Sequence, residues 1–205
     1  SGMGTTVWAV TNGGPQKADA IAHRYAERVI AMGEDSRAPS LSPEGMLTAL
    51  AEAPQGLVVV ADSPDNPGGG APSDGTQLLR ILFENGVDSV AAGCCWDPSA
   101  GDLCCAAGQG AEIPLRIGGK ASAMSGDPLD FTVRVGTVIE DMEQRFGDGT
   151  WPMGTTVAVH ADDLSFVLTT RRAQCFDAGV FDRLGIDLNA KRIALVKSSQ
   201  HFYAS

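Results

Sequence analysis

Asp62, Asp65, Asn66 and Asp74 place three carboxylates and an amide within 13 residues, threaded between prolines 64, 67 and 72 and around Gly68-Gly69-Gly70. Hard oxygen ligands at this density can hold calcium or magnesium, although the spacing is not that of an EF-hand. The same residue types also build turns, because Asp and Asn side chains hydrogen-bond to nearby backbone amides. Asp74 is then placed to cap a following helix. A third use is a loop that faces a ligand or a partner. The three glycines carry no Cβ and are open to positive φ, so the chain can turn sharply and approach another group closely. A phosphate cradle does not fit: there is no Gly-Lys-[Ser/Thr] ending, and Pro67-Gly68-Gly69-Gly70-Ala71 does not match G-x-G-x-x-G.

Two further segments carry reactive side chains. Gly118-Gly119-Lys120 follows an apolar run and could swing an ammonium over a loop. Lys197-Ser198-Ser199-Gln200-His201 follows the last apolar run and offers a cation, hydroxyls and an imidazole. His201 is the best general-base candidate, since imidazole titrates near neutral pH; an isolated histidine there also reads as an ordinary surface or packing residue. His160-Ala161-Asp162 could orient an imidazole or ligate a metal, although a strand-end histidine beside a turn is the commoner case, and His23 has no evident partner. No Gly-x-Ser-x-Gly elbow or His-Glu-x-x-His motif is present.

These residues need elements to position them. Leu57 to Val60 is a continuous aliphatic run, as in a strand buried on both faces. It feeds the glycine loop, and in open α/β sheets ligands bind where loops leave the carboxyl ends of strands. Strands are also expected at Thr5–Val10, Ser89–Cys94, Ile113–Ile117, Phe131–Ile139, Thr155–His160, Ser165–Thr170 and Ile193–Val196. Helical spacing recurs through Ala18, Ile21, Ala22, Tyr25, Val29 and Met32. Ser42-Pro43-Glu44 and Asp97-Pro98 each pair a capping side chain with proline at the first helical position. Leu78, Leu79, Leu82 and Phe83 form another apolar helical stripe, on a helix starting near Asp74. A short helix is expected around Phe176–Leu184. The reading is one α/β domain over residues 1–205, with a layered, mostly parallel sheet in the first half and additional β-strands in the second half.

Bulk properties exclude several classes. A net charge of −10 opposes nucleic-acid binding, which needs a basic face. No apolar run approaches a membrane span. The cysteines at 94, 95, 104, 105 and 175 make a poor disulfide or zinc-knuckle framework. They read as small apolar fillers in a reducing cytoplasm, with a soft-metal or redox site as the other use. Ser1-Gly2 ahead of Met3 looks like a remnant of tag removal, and no signal peptide follows it.

Asp65-Asn66-Pro67-Gly68-Gly69-Gly70-Ala71, Asp74-Gly75-Thr76, Asp97-Pro98, Gly108-Gln109-Gly110, Ile117-Gly118-Gly119-Lys120 and Lys197-Ser198-Ser199-Gln200-His201-Phe202 together resemble the carboxy-terminal domain of MlrC-type proteins. These are the microcystinase C family of candidate metallopeptidases. The resemblance covers Gly56 to Phe202 well and residues 1–55 loosely. It implies a module of a zinc-dependent peptidase or amidohydrolase whose zinc ligands lie in an amino-terminal domain, with no metal or other cofactor held by this chain. It also implies a partner, that metal-binding domain, and a peptide or amide substrate, and it leaves room for a homo-oligomer. His201 and Lys197 would then serve catalysis. Asp65, Asn66, Gly68, Gly69, Gly70, Asp74, Thr76, Lys120 and Ser198 would line the substrate. The contrasting expectation is a catalytically silent binding or assembly module.

Overall fold

The computed structural model describes residues 4–36 and 39–204, and the chain divides after Ser42 into two compact units. In the first, Pro15 opens helix α1, Pro15–Met32, at a position where its missing N–H costs nothing. None of the residues of α1 is buried. The strand expected over Thr5–Val10 does not form: that segment has no regular structure, and Trp8 and Val10 are 86% and 100% exposed. The residue types suit a strand, but a strand needs an edge to pair with, and no described strand pairs with this one.

The second unit is built on a seven-stranded sheet of order β1-β7-β2-β6-β5-β4-β3. The strands are β1 Val58–Ala61, β2 Val90–Trp96, β3 Glu112–Ile117, β4 Leu129–Phe146, β5 Gly149–Ala161, β6 Leu164–Thr169 and β7 Ile193–Val196. β1, β7, β2 and β6 are mutually parallel; β5, β4 and β3 add antiparallel. β7, latest of the described strands in sequence, sits between β1 and β2.

Alternation along the strands separates two apolar layers. Ala92, Cys95, Phe166, Leu168, Ile193 and Leu195 face α2 (Pro43–Glu52), α3 (Gln77–Glu84) and α4 (Pro98–Ala107), through Met46, Leu79, Leu82, Ala100 and Cys104. Ala91, Cys94, Val167 and Val196 face the opposite layer, which holds Val180 and Phe181 of α5 (Gly179–Arg183). Adjacent Cys94 and Cys95 thus point to opposite faces. Cys94, Cys95, Cys104 and Cys175 are buried and Cys105 is exposed, all as free thiols.

Further elements depart from the sequence reading, and β5 begins at Gly149, well ahead of the expected Thr155. β4 runs on to Phe146 because Met142 and Gln144 turn inward while β5 pairs with it along the whole extension. Register shifts at 135–138 and 139–142 bend β4. α3 starts at Gln77, and Asp74 does not cap it.

Candidate functional site at the carboxyl ends of the parallel strands

β1, β7 and β2 end side by side, and the chain leaves each with a charged residue. Asp62 follows β1, Lys197 follows β7 and Asp97 follows β2. Lys197 is 2% exposed. Its ammonium donates to Asp62 Oδ2 at 2.8 Å and to the Gly75 carbonyl, and lies 3.0 Å from Asp65 Oδ2. Burial alone would lower its pKa; Cys95, Asp62 and Asp65 outweigh that and raise it. Asp65 also accepts from the Ser73 N–H at 2.8 Å and the Gly75 N–H at 2.6 Å. Asp65 therefore anchors the far end of the glycine loop to Lys197. The loop is strained there, with Ser73 at φ 69°.

Asp97 organises the second half of the edge. As the sequence predicts, it caps α4, accepting from the Ala100 N–H at 3.1 Å. It also accepts from the Gly118 N–H at 2.9 Å and from Lys120 Nζ at 2.7 Å. Lys120 Nζ donates in addition to the Arg116 carbonyl at 2.7 Å. Asp74 Oδ2 accepts from the Lys120 and Ala121 N–H groups, both at 2.7 Å, while Asp74 Oδ1 is buried with no partner. Gly118 and Gly119 hold φ of 64° and 63°, and a Cβ on Gly118 would stand 2.6 Å from the Asp74 carbonyl. Only glycine fits that approach. Thr76 Oγ1 is buried, 2.7 Å from the Asp127 carbonyl and 3.1 Å from that of Ser125.

The glycine loop makes a short 3-10 turn over Pro67–Gly69. Asn66 Oδ1 accepts from the Gly68 N–H at 2.9 Å, and Asn66 Nδ2 donates to Ser199 Oγ at 2.9 Å. Gln174 Nε2 donates to the same Asn66 Oδ1. Of the three glycines only Gly70 takes positive φ, at 93°. Gly68 is needed for room instead, because a Cβ there would meet the Gln174 amide at 2.5 Å, whereas Gly69 has open space.

The structure thus brings Asp65, Asn66, Gly68, Gly69, Gly70, Asp74, Lys120 and Lys197 to one edge, with Thr76 and Ser198 buried behind it. Ser198 Oγ has no partner. His201 lies at the rim in an aromatic group, its ring centroid 5.1 Å from Phe176 and 5.8 Å from Phe146. His160 is elsewhere, on β5, with Nδ1 3.0 Å from Ser165 Oγ, and burial lowers its pKa. Sequence reasoning found Asp97 only as a cap and missed Gln174 and the aromatic rings. Nothing in Arg171-Arg172-Ala173-Gln174 marks a residue that reaches Asn66.

Chemically, both lysines are neutralised by carboxylates, so neither is a free cation. A zinc ion does not fit these residues. Except for Asp74 Oδ1, the carboxylate oxygens named here accept from an ammonium or a backbone N–H. No three His, Cys, Asp or Glu groups among the described residues could hold a metal. The edge presents outward the glycine backbone, Ser199 and His201, together with the aspartate-paired Lys120.

A mixed sheet with charged residues gathered beyond the carboxyl ends of its parallel strands defines an open α/β domain. Its second unit is matched by a family model, described as MlrC C-terminus, over residues 60–205. The chain is 34% identical over 204 residues to Microcystinase C of Sphingomonas sp, a match covering 98% of this chain and 40% of that protein. It also superposes on a crystal structure from Mesorhizobium sp. BNC1 described as a candidate metallopeptidase. That likeness has a TM-score of 0.76 at 17% identity, over 92% of this chain and 38% of the other. The chain belongs to the MlrC family and comprises its carboxy-terminal domain. It spans about two fifths of the length of these relatives. No helix among the described residues is long and apolar enough to cross a membrane.

Proposed function

We propose that this chain is the substrate-side wall of a zinc-dependent peptidase or amidohydrolase of the cytoplasm, its metal being contributed by an amino-terminal domain such as the longer relatives have room for. The observation that carries this reading is the internally neutralised edge. Lys197 and Lys120 each bind aspartate and fix the backbone of the 62–76 and 117–121 loops, so the wall is rigid before any ligand arrives. Pre-set backbone positions are what substrate orientation requires, because misplacement by about 1 Å can cost about a hundredfold in rate. Zinc, when bound in that other domain, would polarise the scissile carbonyl. The residues here orient the peptide: the open backbone at Gly69 and Gly70 lets an extended chain lie close, and Ser199 and His201 offer hydrogen bonds at its rim.

Zinc content and peptide hydrolysis of this chain alone test the assignment. Metal well below one equivalent and no hydrolysis are expected. Stoichiometric, chelator-resistant zinc with hydrolysis by the isolated chain would overturn it. In a full-length relative, alanine at the position aligned with Asp65 should lower kcat/KM while bound zinc is unchanged. The second reading, a silent binding module, is favoured by the same neutralised lysines. It predicts no change in kcat/KM for that alanine variant.

A further inference from the structure

Phe146 and Trp151 flank the turn of the β4–β5 hairpin, on a stretch where β5 pairs with β4 alone. With Phe176 and the His201 imidazole they form one cluster. Ring centroids are 4.4 Å apart for Phe146 and Phe176, 6.2 Å for Trp151 and Phe176, and 5.1 Å for Phe176 and His201. Phe146 and Trp151 remain 43% and 44% exposed. The role proposed for the wall draws on His201 alone and leaves Phe146, Trp151 and Phe176 without a part.

We propose that this cluster binds an aromatic or large aliphatic side chain of a peptide ligand, an inference that rests on the peptidase reading. Three observations support it. First, the cluster adjoins the glycine loop: Gln174 reaches Asn66, Ser199 bonds the same Asn66, and Phe176 and His201 each lie two residues further on. A peptide backbone passing Gly69 and Gly70 would deliver a side chain there, and a Cβ built on either glycine meets nothing within 4 Å. Second, the patch has the size of one side chain. Aromatic side chains bury roughly 150–250 Å² each, so two rings less than half exposed offer roughly 200 Å², against about 800 Å² per partner in a stable protein interface. Third, Trp151 and His201 already stand edge-to-face on Phe176, at 89° and 72°, which leaves the open parts of Phe146 and Trp151 to a further group.

The test titrates N-acetyl-phenylalanine amide and N-acetyl-glycine amide into the whole chain and follows the indole N–H resonances of Trp8, Trp96 and Trp151 by NMR. The phenylalanine probe is expected to shift Trp151 saturably and leave Trp96 in place, while the glycine probe shifts neither. Trp151→Ala, at an exposed position, should weaken binding roughly fivefold when followed at the Phe146 amide. Equal shifts from both probes, no saturable shift, or a Trp151 response explained by a dimer in light scattering would overturn the proposal. The readout needs neither metal nor hydrolysis. Binding by a chain whose relatives cleave no peptide would support the role of the aromatic cluster and sink the peptidase reading; hydrolysis by those relatives with no binding here would do the reverse.

Discussion

At Lys197 a single ammonium ties the ends of β7 and β1 to the loop between Asp65 and Gly75. Its removal would leave two nearly buried carboxylates without their counter-ion. Breaking a buried pair in this way costs about 3–5 kcal/mol, much more than the intact pair contributes net. Lys197→Met should therefore lower the unfolding free energy in urea by about that amount. A loss under about 1 kcal/mol would mean that the ammonium is not the tie described. From sequence, Lys197 stands out as a catalytic candidate by its place after the last strand. What the sequence leaves unstated is that Asp62 and Asp65, more than 130 positions away, turn towards it.

Among elements, signals held within one turn of chain were legible. Asp97-Pro98 opens α4 and Pro43 opens α2, each through a cap or first-turn preference that needs no distant partner. Strand β7 matches its aliphatic run from Ile193 to Val196. Signals that depend on a partner were not. Asp74 has the right type and spacing for a cap, but the Lys120 and Ala121 amides from another loop claim its carboxylate. The Thr5–Val10 run pairs with no described strand, and β4 outlasts its apolar stretch because β5 and the α5 layer support it. The glycine loop separates the two cases within three residues. Gly68→Ala should displace the Gln174 amide and cost about 1 kcal/mol, the worth of one hydrogen bond. Gly69→Ala, with open space around it, should cost under about 0.5 kcal/mol. Chemical denaturation of the pair measures the difference, and equal effects would contradict the loop geometry.

For the whole molecule, the buried thiols set an alkaline limit. Burial pushes Cys95 and Cys104 up to about 11 from 9.0, and Cys94 is raised as well, chiefly by its hydrogen bond with Cys175. The folded state therefore holds these protons more tightly than the unfolded chain. Their contribution is complete below pH 9 and is lost as pH rises towards 11, with a slope of at most about 1.4 kcal/mol per pH unit for each thiol. Lys197, with its raised pKa, acts in the same direction above pH 10.5. Urea midpoints should fall from pH 9 upward, and Cys95→Ala with Cys104→Ala should flatten the fall; an unchanged slope would refute the assignment. The sheet order has a consequence for biosynthesis. With β7 wedged between β1 and β2, two parallel neighbours stay apart until residue 196 is available. A ribosome must thus deliver the chain through residue 196 before the centre of the sheet can close, so these strands cannot pack one after another as they emerge.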